Sequence, residues 1–429
     1  MISTTIDNVY LFIYLALWVI TLVVYRKRTK QVTLAFALLC LYAFMAPVCL
    51  YLYNSEYAYL YFEKELTLIG FIYLFIMIIM AIYPIIKVRE ESLKGIWLPK
   101  PSLLTVCCVC VSILSIFGII ACLPKLQEGF FIMLSGSEEI VGLYEDAKGD
   151  RMDTKSFSGS INFLNVLSNV SDFIIPFLFF LYLLLDKQNK VVLVLLFLGL
   201  LKVPLLGIAN ASRFQLISQI FVIFLLFFFF QPYMKQSIVK TIRRLFIIIS
   251  SFILFLFLSV SIVRSVVDNK TDMGYGLARY YAQGPLVFNN FCMDANGTRE
   301  GHFTFPVVIK LFGGESLSEN ELRLKYSHMK VDNSKFTTFV GDFVLDYGPL
   351  LAFFMFLFYS FVMKNKLRNN ATLKFSQLIF LYLCMRFCCG FYQYQLGSTS
   401  GNLFVLLALM LPILFMNKRN QTYIQRKIF

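Results

Sequence analysis

Eleven apolar stretches, most of them close to twenty residues long, recur along the chain between short polar segments. They fall at about 8–25, 32–53, 65–86, 102–123, 163–185, 190–207, 214–231, 245–263, 341–363, 374–395 and 402–416. A helix needs a run of that length to cross roughly 30 Å of hydrocarbon. The pattern therefore predicts an all-α polytopic membrane protein, residues 1–429 forming a single integral membrane domain with about eleven transmembrane helices. A soluble fold fails on composition. Of 429 residues 59% are hydrophobic and 47 are Phe, more apolar surface than a globule of this size can hide. The first stretch is followed by Arg26, Lys27 and Arg28 and not by a small-residue cleavage site, so it reads as a span.

Charge gives the orientation. The segments 26–30, 87–101, 186–190, 231–244, 361–374 and 417–429 carry 22 Lys and Arg against three acids, Glu90, Glu91 and Asp186. Basic loops stay on the cytoplasmic side, so the C-terminus is expected inside and the N-terminus outside. Segment 124–160 has four bases against seven acids, and 264–346 has nine against ten. Both belong outside. The excess of base is thus a topology signal and not a nucleic-acid footprint. Two exterior segments exceed what a connector needs. Residues 124–162 include Phe130, Phe131, Ile132 and Leu134, which suits an interfacial helix. Residues 264–340, the large exterior loop between spans 8 and 9, mix aromatics, glycines and both histidines and are expected to fold as a lid.

Nine of the ten cysteines lie in apolar stretches, and Cys292 alone is in a polar one. Cys107 and Cys110 spell C-x-x-C without a second pair or a histidine, so they read as ordinary buried thiols.

Charges inside a span cost roughly 2.5–3.5 kcal/mol each on the insertion scale. Away from the span ends the candidates are Asp172, Lys202, Asp342, Asp346 and Arg386, all in the outer halves of their spans. That asymmetry points to one polar cavity opening outward. Asp342 and Asp346 are four apart on one helix face, a spacing that suits a general base. The competing reading is a helix cap for Asp342 and a structural ion pair for Asp346. Arg386 is the expected partner of Asp346, at a height difference of roughly 8 Å. Arg213, Arg264 and Arg279 fall at the outer edge, where they serve either as a diphosphate clamp or as snorkelling anchors. His302 and His328 are either proton carriers or solvated loop residues. No D-x-D, H-E-x-x-H or Walker sequence occurs.

Three local sequences resemble the oligosaccharide repeat-unit polymerases, the O-antigen polymerase family. They are Asn210-Ala211-Ser212-Arg213, the run Tyr280-Tyr281-Ala282-Gln283-Gly284-Pro285-Leu286-Val287-Phe288, and Thr337-Thr338-Phe339 through Asp346-Tyr347-Gly348. The resemblance implies an enzyme of the bacterial cytoplasmic membrane, acting at its outer face. It implies transfer of a growing glycan from polyprenyl diphosphate to the next lipid-linked unit, without metal or cofactor. Asp346, Arg213 and Arg279 are the catalytic residues expected on this basis, with Arg264, Tyr280, Tyr281, Asp342, Arg386 and His302 binding substrate. Lipid-linked oligosaccharides and the bilayer are the implied partners, together with a flippase and a chain-length regulator. An O-antigen ligase shares the architecture and differs in its acceptor. A lipid-linked oligosaccharide flippase, a transporter, is the remaining alternative.

Overall fold

The computed structural model describes residues 5–58, 62, 65–135, 159–210, 213–268, 273–315, 317, 319–331, 336–368, 371–414 and 421–427. In chain order the helices are α1 Thr5–Arg28, α2 Leu34–Tyr53, α3 Leu68–Ile86, α4 Pro101–Ser135, α5 Gly159–Leu183, α6 Lys190–Ala209 and α7 Arg213–Phe230. They continue with α8 Gln236–Asp268, α9 Met273–Val287, α10 Pro306–Leu311, α11 Glu319–Lys325, α12 Thr338–Leu367, α13 Phe375–Cys388 and α14 Thr399–Leu414. The strands are β1 Gly95–Pro99, β2 Thr372–Leu373 and β3 Gln421–Gln425. A helix lies at each of the eleven apolar stretches. Among the described residues, seven helices are long and apolar enough to cross a membrane. Helices suit that setting because each satisfies its own backbone, where lipid offers no hydrogen bonds.

The chain divides into two compact units. The first comprises Met1–Glu91, Asp268–Arg368 and Leu383–Ser398, the second Ser92–Val267, Asn369–Tyr382 and Thr399–Phe429. In the first, α1, α2 and α3 pack through an aromatic core. Trp18 stacks on Tyr42 at 5.9 Å, and Tyr14 meets Phe71 at 4.9 Å. Thr33 caps α2 by accepting from Phe36 N, and Glu90 accepts from Leu34 N at 2.8 Å, so two orphan N–H groups of the helix start are satisfied. At the other end of these helices, Asp7 accepts from Tyr53 Oη at 2.8 Å and from Leu66 N at 3.0 Å. Each pairing joins segments expected on the same side of the membrane.

The second unit contains α4 to α8, α14 and the three-stranded sheet, in the order β2-β1-β3. β1 runs parallel to β2 and antiparallel to β3, with Trp97 opposite Tyr423. These strands come from three of the basic segments, and Lys427 N also donates to Pro232 O at 2.8 Å. The basic segments of this unit are therefore neighbours, as the charge alternation requires.

Two expectations change. The helix expected to end near residue 123 continues as α4 through Pro124 to Ser135; residues 136–158 of the expected interfacial segment lie outside the described residues. The segment 264–340, expected on the outer side and named the exterior segment for that expectation, opens with a fifteen-residue helix, α9, laid against α2. Tyr281 Oη donates to Leu41 O at 2.7 Å and Cys49 Sγ to Ala282 O at 3.1 Å. Its glycines and Pro285 made that stretch read as loop.

Candidate functional site

The site lies in the first unit, where the segment between α9 and α10 meets α12. Pro349 has no N–H, so the carbonyl of Leu345, four residues earlier, loses its helical donor. The helix breaks at Gly348 (φ 76°, ψ 163°), a conformation that glycine adopts freely. Arg299 N takes the orphan carbonyl, donating to Leu345 O at 2.8 Å. The Arg299 side chain then binds both acids of the same helix face. Its Nε donates to Asp346 Oδ1 at 2.7 Å, and its Nη2 to Asp342 O at 3.0 Å and Asp342 Oδ1 at 3.4 Å. The guanidinium carbon also lies 4.6 Å from the centre of the Phe303 ring.

Each acid has further donors. Thr304 gives both its N–H and its hydroxyl to Asp346 Oδ2, each at 2.7 Å. Tyr394 N donates to Asp342 Oδ2 at 2.7 Å, and Thr337 Oγ1 to Asp342 Oδ1 at 3.2 Å. The side chains of Arg299 and Asp346 are 3% and 0% exposed. Burial works against the Arg299 charge, but Asp346 and then Asp342 more than reverse it and hold the guanidinium above the ordinary arginine value. Thr338, at the head of α12, has φ 70°, which is costly for a β-branched residue. Bonds from Thr338 N to Tyr392 O and from Phe339 N to Gly390 O hold it there.

This geometry corrects two sequence readings. Asp346 pairs with Arg299 and not with Arg386, which is buried in α13. Height alone had matched them; α12 turns this face to the exterior segment instead. Asp342 does not cap its helix, because α12 begins at Thr338 and places it in the second turn. The carboxylates are occupied by donors from Arg299, Thr304, Thr337 and Tyr394. They hold the exterior segment on the helix.

That lock positions His302. Its Nδ1 lies 2.9 Å from Arg299 O and 3.0 Å from Tyr326 Oη. A carbonyl only accepts, so the bond to Arg299 O assigns a proton to Nδ1 and turns Nε2 to the other side of the ring. Among the described residues no polar group is bonded to Nε2. The ring is half-buried.

The other expected residues differ in placement. Tyr280 is buried, its ring 4.8 Å from Tyr392 and 5.7 Å from Phe336. Tyr281 packs on Phe44 and Phe391. Both are packing groups of α9. Arg279, on the same helix, is half-buried. Arg213 and Arg264 belong to the second unit, and their side chains lie outside the described residues.

The candidate in-span charges are divided between the two units. Lys202 and Asp172 form their own cluster in the second unit, with Nζ 3.0 Å from Asp172 Oδ1 and donating to Ser168 O and Ser168 Oγ, both at 2.8 Å. Gly118 makes room for it. A Cβ there would stand 2.1 Å from Ser168 Oγ and 2.6 Å from Lys202 Cε.

Fold and charge pattern together define a helical membrane protein with apolar helices suited to a lipid bilayer. No family model, curated protein or solved structure matches the chain.

Proposed function

We propose that the chain polymerises lipid-linked oligosaccharide repeat units, of O-antigen, capsule or exopolysaccharide, at the outer face of a bacterial cytoplasmic membrane. In this reading all eleven apolar helices cross the bilayer and the C-terminus is cytoplasmic. The acceptor sugar hydroxyl of one lipid-linked unit attacks the anomeric carbon of the growing chain. The bond from that carbon to the polyprenyl diphosphate oxygen breaks, and its electron pair leaves with the diphosphate. His302 Nε2 takes the hydroxyl proton, and Arg279 faces the charge of the leaving diphosphate. No metal takes part.

One observation carries the assignment of the base. Both carboxylates of the site are occupied by internal donors, whereas the His302 ring is oriented through Nδ1 and, among the described residues, no polar group is bonded to its Nε2. Asp346, the base expected from sequence, here holds the segment that carries the base. The three sequence resemblances supply the substrate class, and two of them, Tyr280–Phe288 and Thr337–Gly348, lie in the same unit as His302.

The test is the lipid-linked glycan made by a strain lacking the protein. Single repeat units are expected, with full-length polymer restored by the wild-type chain. Long but unligated chains would identify a ligase instead. Repeat units trapped on the cytoplasmic leaflet would identify a flippase.

A further inference from the structure

The exterior segment leaves α12 at a fixed depth. Thr304 is bonded to Asp346, and the next residue, Phe305, packs its ring on Phe343, Tyr394 and Tyr347 at 5.8, 6.3 and 6.4 Å. α10 starts immediately afterwards with Pro306 buried. Its opposite side is bare. Val308, Leu311 and Phe312, spaced i, i+3 and i+4, share a face and are 37%, 73% and 88% exposed. Phe312 is the most exposed large hydrophobic among the described residues.

An exposed apolar surface on α12 begins four residues after Asp346. Leu350 is 72% exposed, and Leu351, Phe354, Leu357, Phe358 and Phe361 continue the apolar surface along the helix. In a spanning helix such a surface faces lipid. Leu350 follows Asp346 by four residues across the break at Gly348, and the seven residues from Phe305 to Phe312 reach roughly 10 Å. The bare face of α10 therefore lies within reach of the edge of the lipid-facing surface of α12. Lys310, exposed on α10, suits the phosphate layer at that depth.

We propose that α10 is an interfacial anchor, with Val308, Leu311 and Phe312 seated in the leaflet that meets the Asp346–Gly348 end of α12. The occupant is the bilayer itself, because the face continues the lipid-facing surface of the span. The anchor holds whatever reaction the chain performs. It fixes the exterior segment at two points, the Arg299 bonds and the lipid.

The test uses Phe312→Trp protein reconstituted in vesicles of phosphatidylcholine and phosphatidylglycerol, compared with wild type, whose two tryptophans are Trp18 and Trp97. The added emission is expected to be blue-shifted. Lipids brominated high in the acyl chain should quench it several-fold more than lipids brominated near the chain end. Leu311→Trp gives a second probe of the same face should the first variant fail to insert. Water-like emission insensitive to brominated lipid overturns the anchor and leaves the face to a protein partner or to solvent. Quenching that appears only after polyprenyl phosphate is added overturns it in favour of a substrate tail. Quenching only by deep bromine places the segment inside the hydrocarbon and overturns the interfacial reading.

Discussion

Arg299 in the first unit and Lys202 in the second are both buried cations, yet they are held in different ways. Arg299 reaches two carboxylates one helical turn apart, and one edge of its planar fork meets both while the ring of Phe303 lies against it. The partners are 43 and 47 residues away along the chain, so the bonds tie an exterior segment to a helix. Lys202 offers a compact charge and collects its acceptors from a single turn of α5, Ser168, Asn169 and Asp172. It joins helices that already pack together. The difference teaches that the two clusters do different work. One fixes the place of a segment that carries a candidate base; the other sets the register of neighbouring helices.

Removing the cation is the harshest test of that contrast. Arg299→Leu leaves Asp342 and Asp346 buried without a countercharge, a loss of roughly 3–5 kcal/mol. Membrane abundance and the melting midpoint should fall together. Wild-type values for both would show that the exterior segment is held by something else.

Lys202→Met is expected to cost less, about 3 kcal/mol, the low end for a broken buried pair. Asp172 is 15% exposed and so less enclosed than the carboxylates that hold Arg299. Adding Asp172→Leu should restore most of the lost stability, because a well-packed apolar pair replaces a charged one. A double variant no more stable than Lys202→Met would mean that the pair does more than set helix register.

Gly118→Ala asks whether the Lys202 cluster depends on close approach. A methyl group 2.1 Å from Ser168 Oγ and 2.6 Å from Lys202 Cε forces a shift, with a cost of roughly 1–3 kcal/mol. An unchanged melting midpoint would show that the cluster tolerates displacement. Thr304→Val is the mildest change. It removes one of three donors to Asp346 and leaves the backbone N–H, for about 1.5 kcal/mol. A loss as large as that of Arg299→Leu would move the centre of the lock from the arginine to the threonine.

The helices were legible because each apolar stretch needs a helix in lipid. Gly95–Pro99 was not legible as a strand, since five residues inside a basic segment carry no period worth reading; its pairing depends on segments more than 270 residues away. α9 was hidden by Gly274, Gly276, Gly284 and Pro285, residues that count against a helix until packing on α2 decides otherwise. For the site, the sequence marked Asp342 and Asp346 as needing a cation but chose Arg386, because height along a span was the only geometry available. Arg299 had one signal. Pro349 deprives Leu345 O of its donor, so some N–H outside the helix had to reach that turn. Nothing local says which of the nine bases between 264 and 346 brings it.

The central claim is that His302 carries the proton while Asp346 holds the segment. The direct measurement is glycan transfer per molecule by purified protein in vesicles, supplied with a polyprenyl-diphosphate-linked repeat unit. His302→Gln should keep the wild-type melting midpoint while transfer falls by roughly 10²–10⁴. Wild-type transfer by His302→Gln would contradict the account.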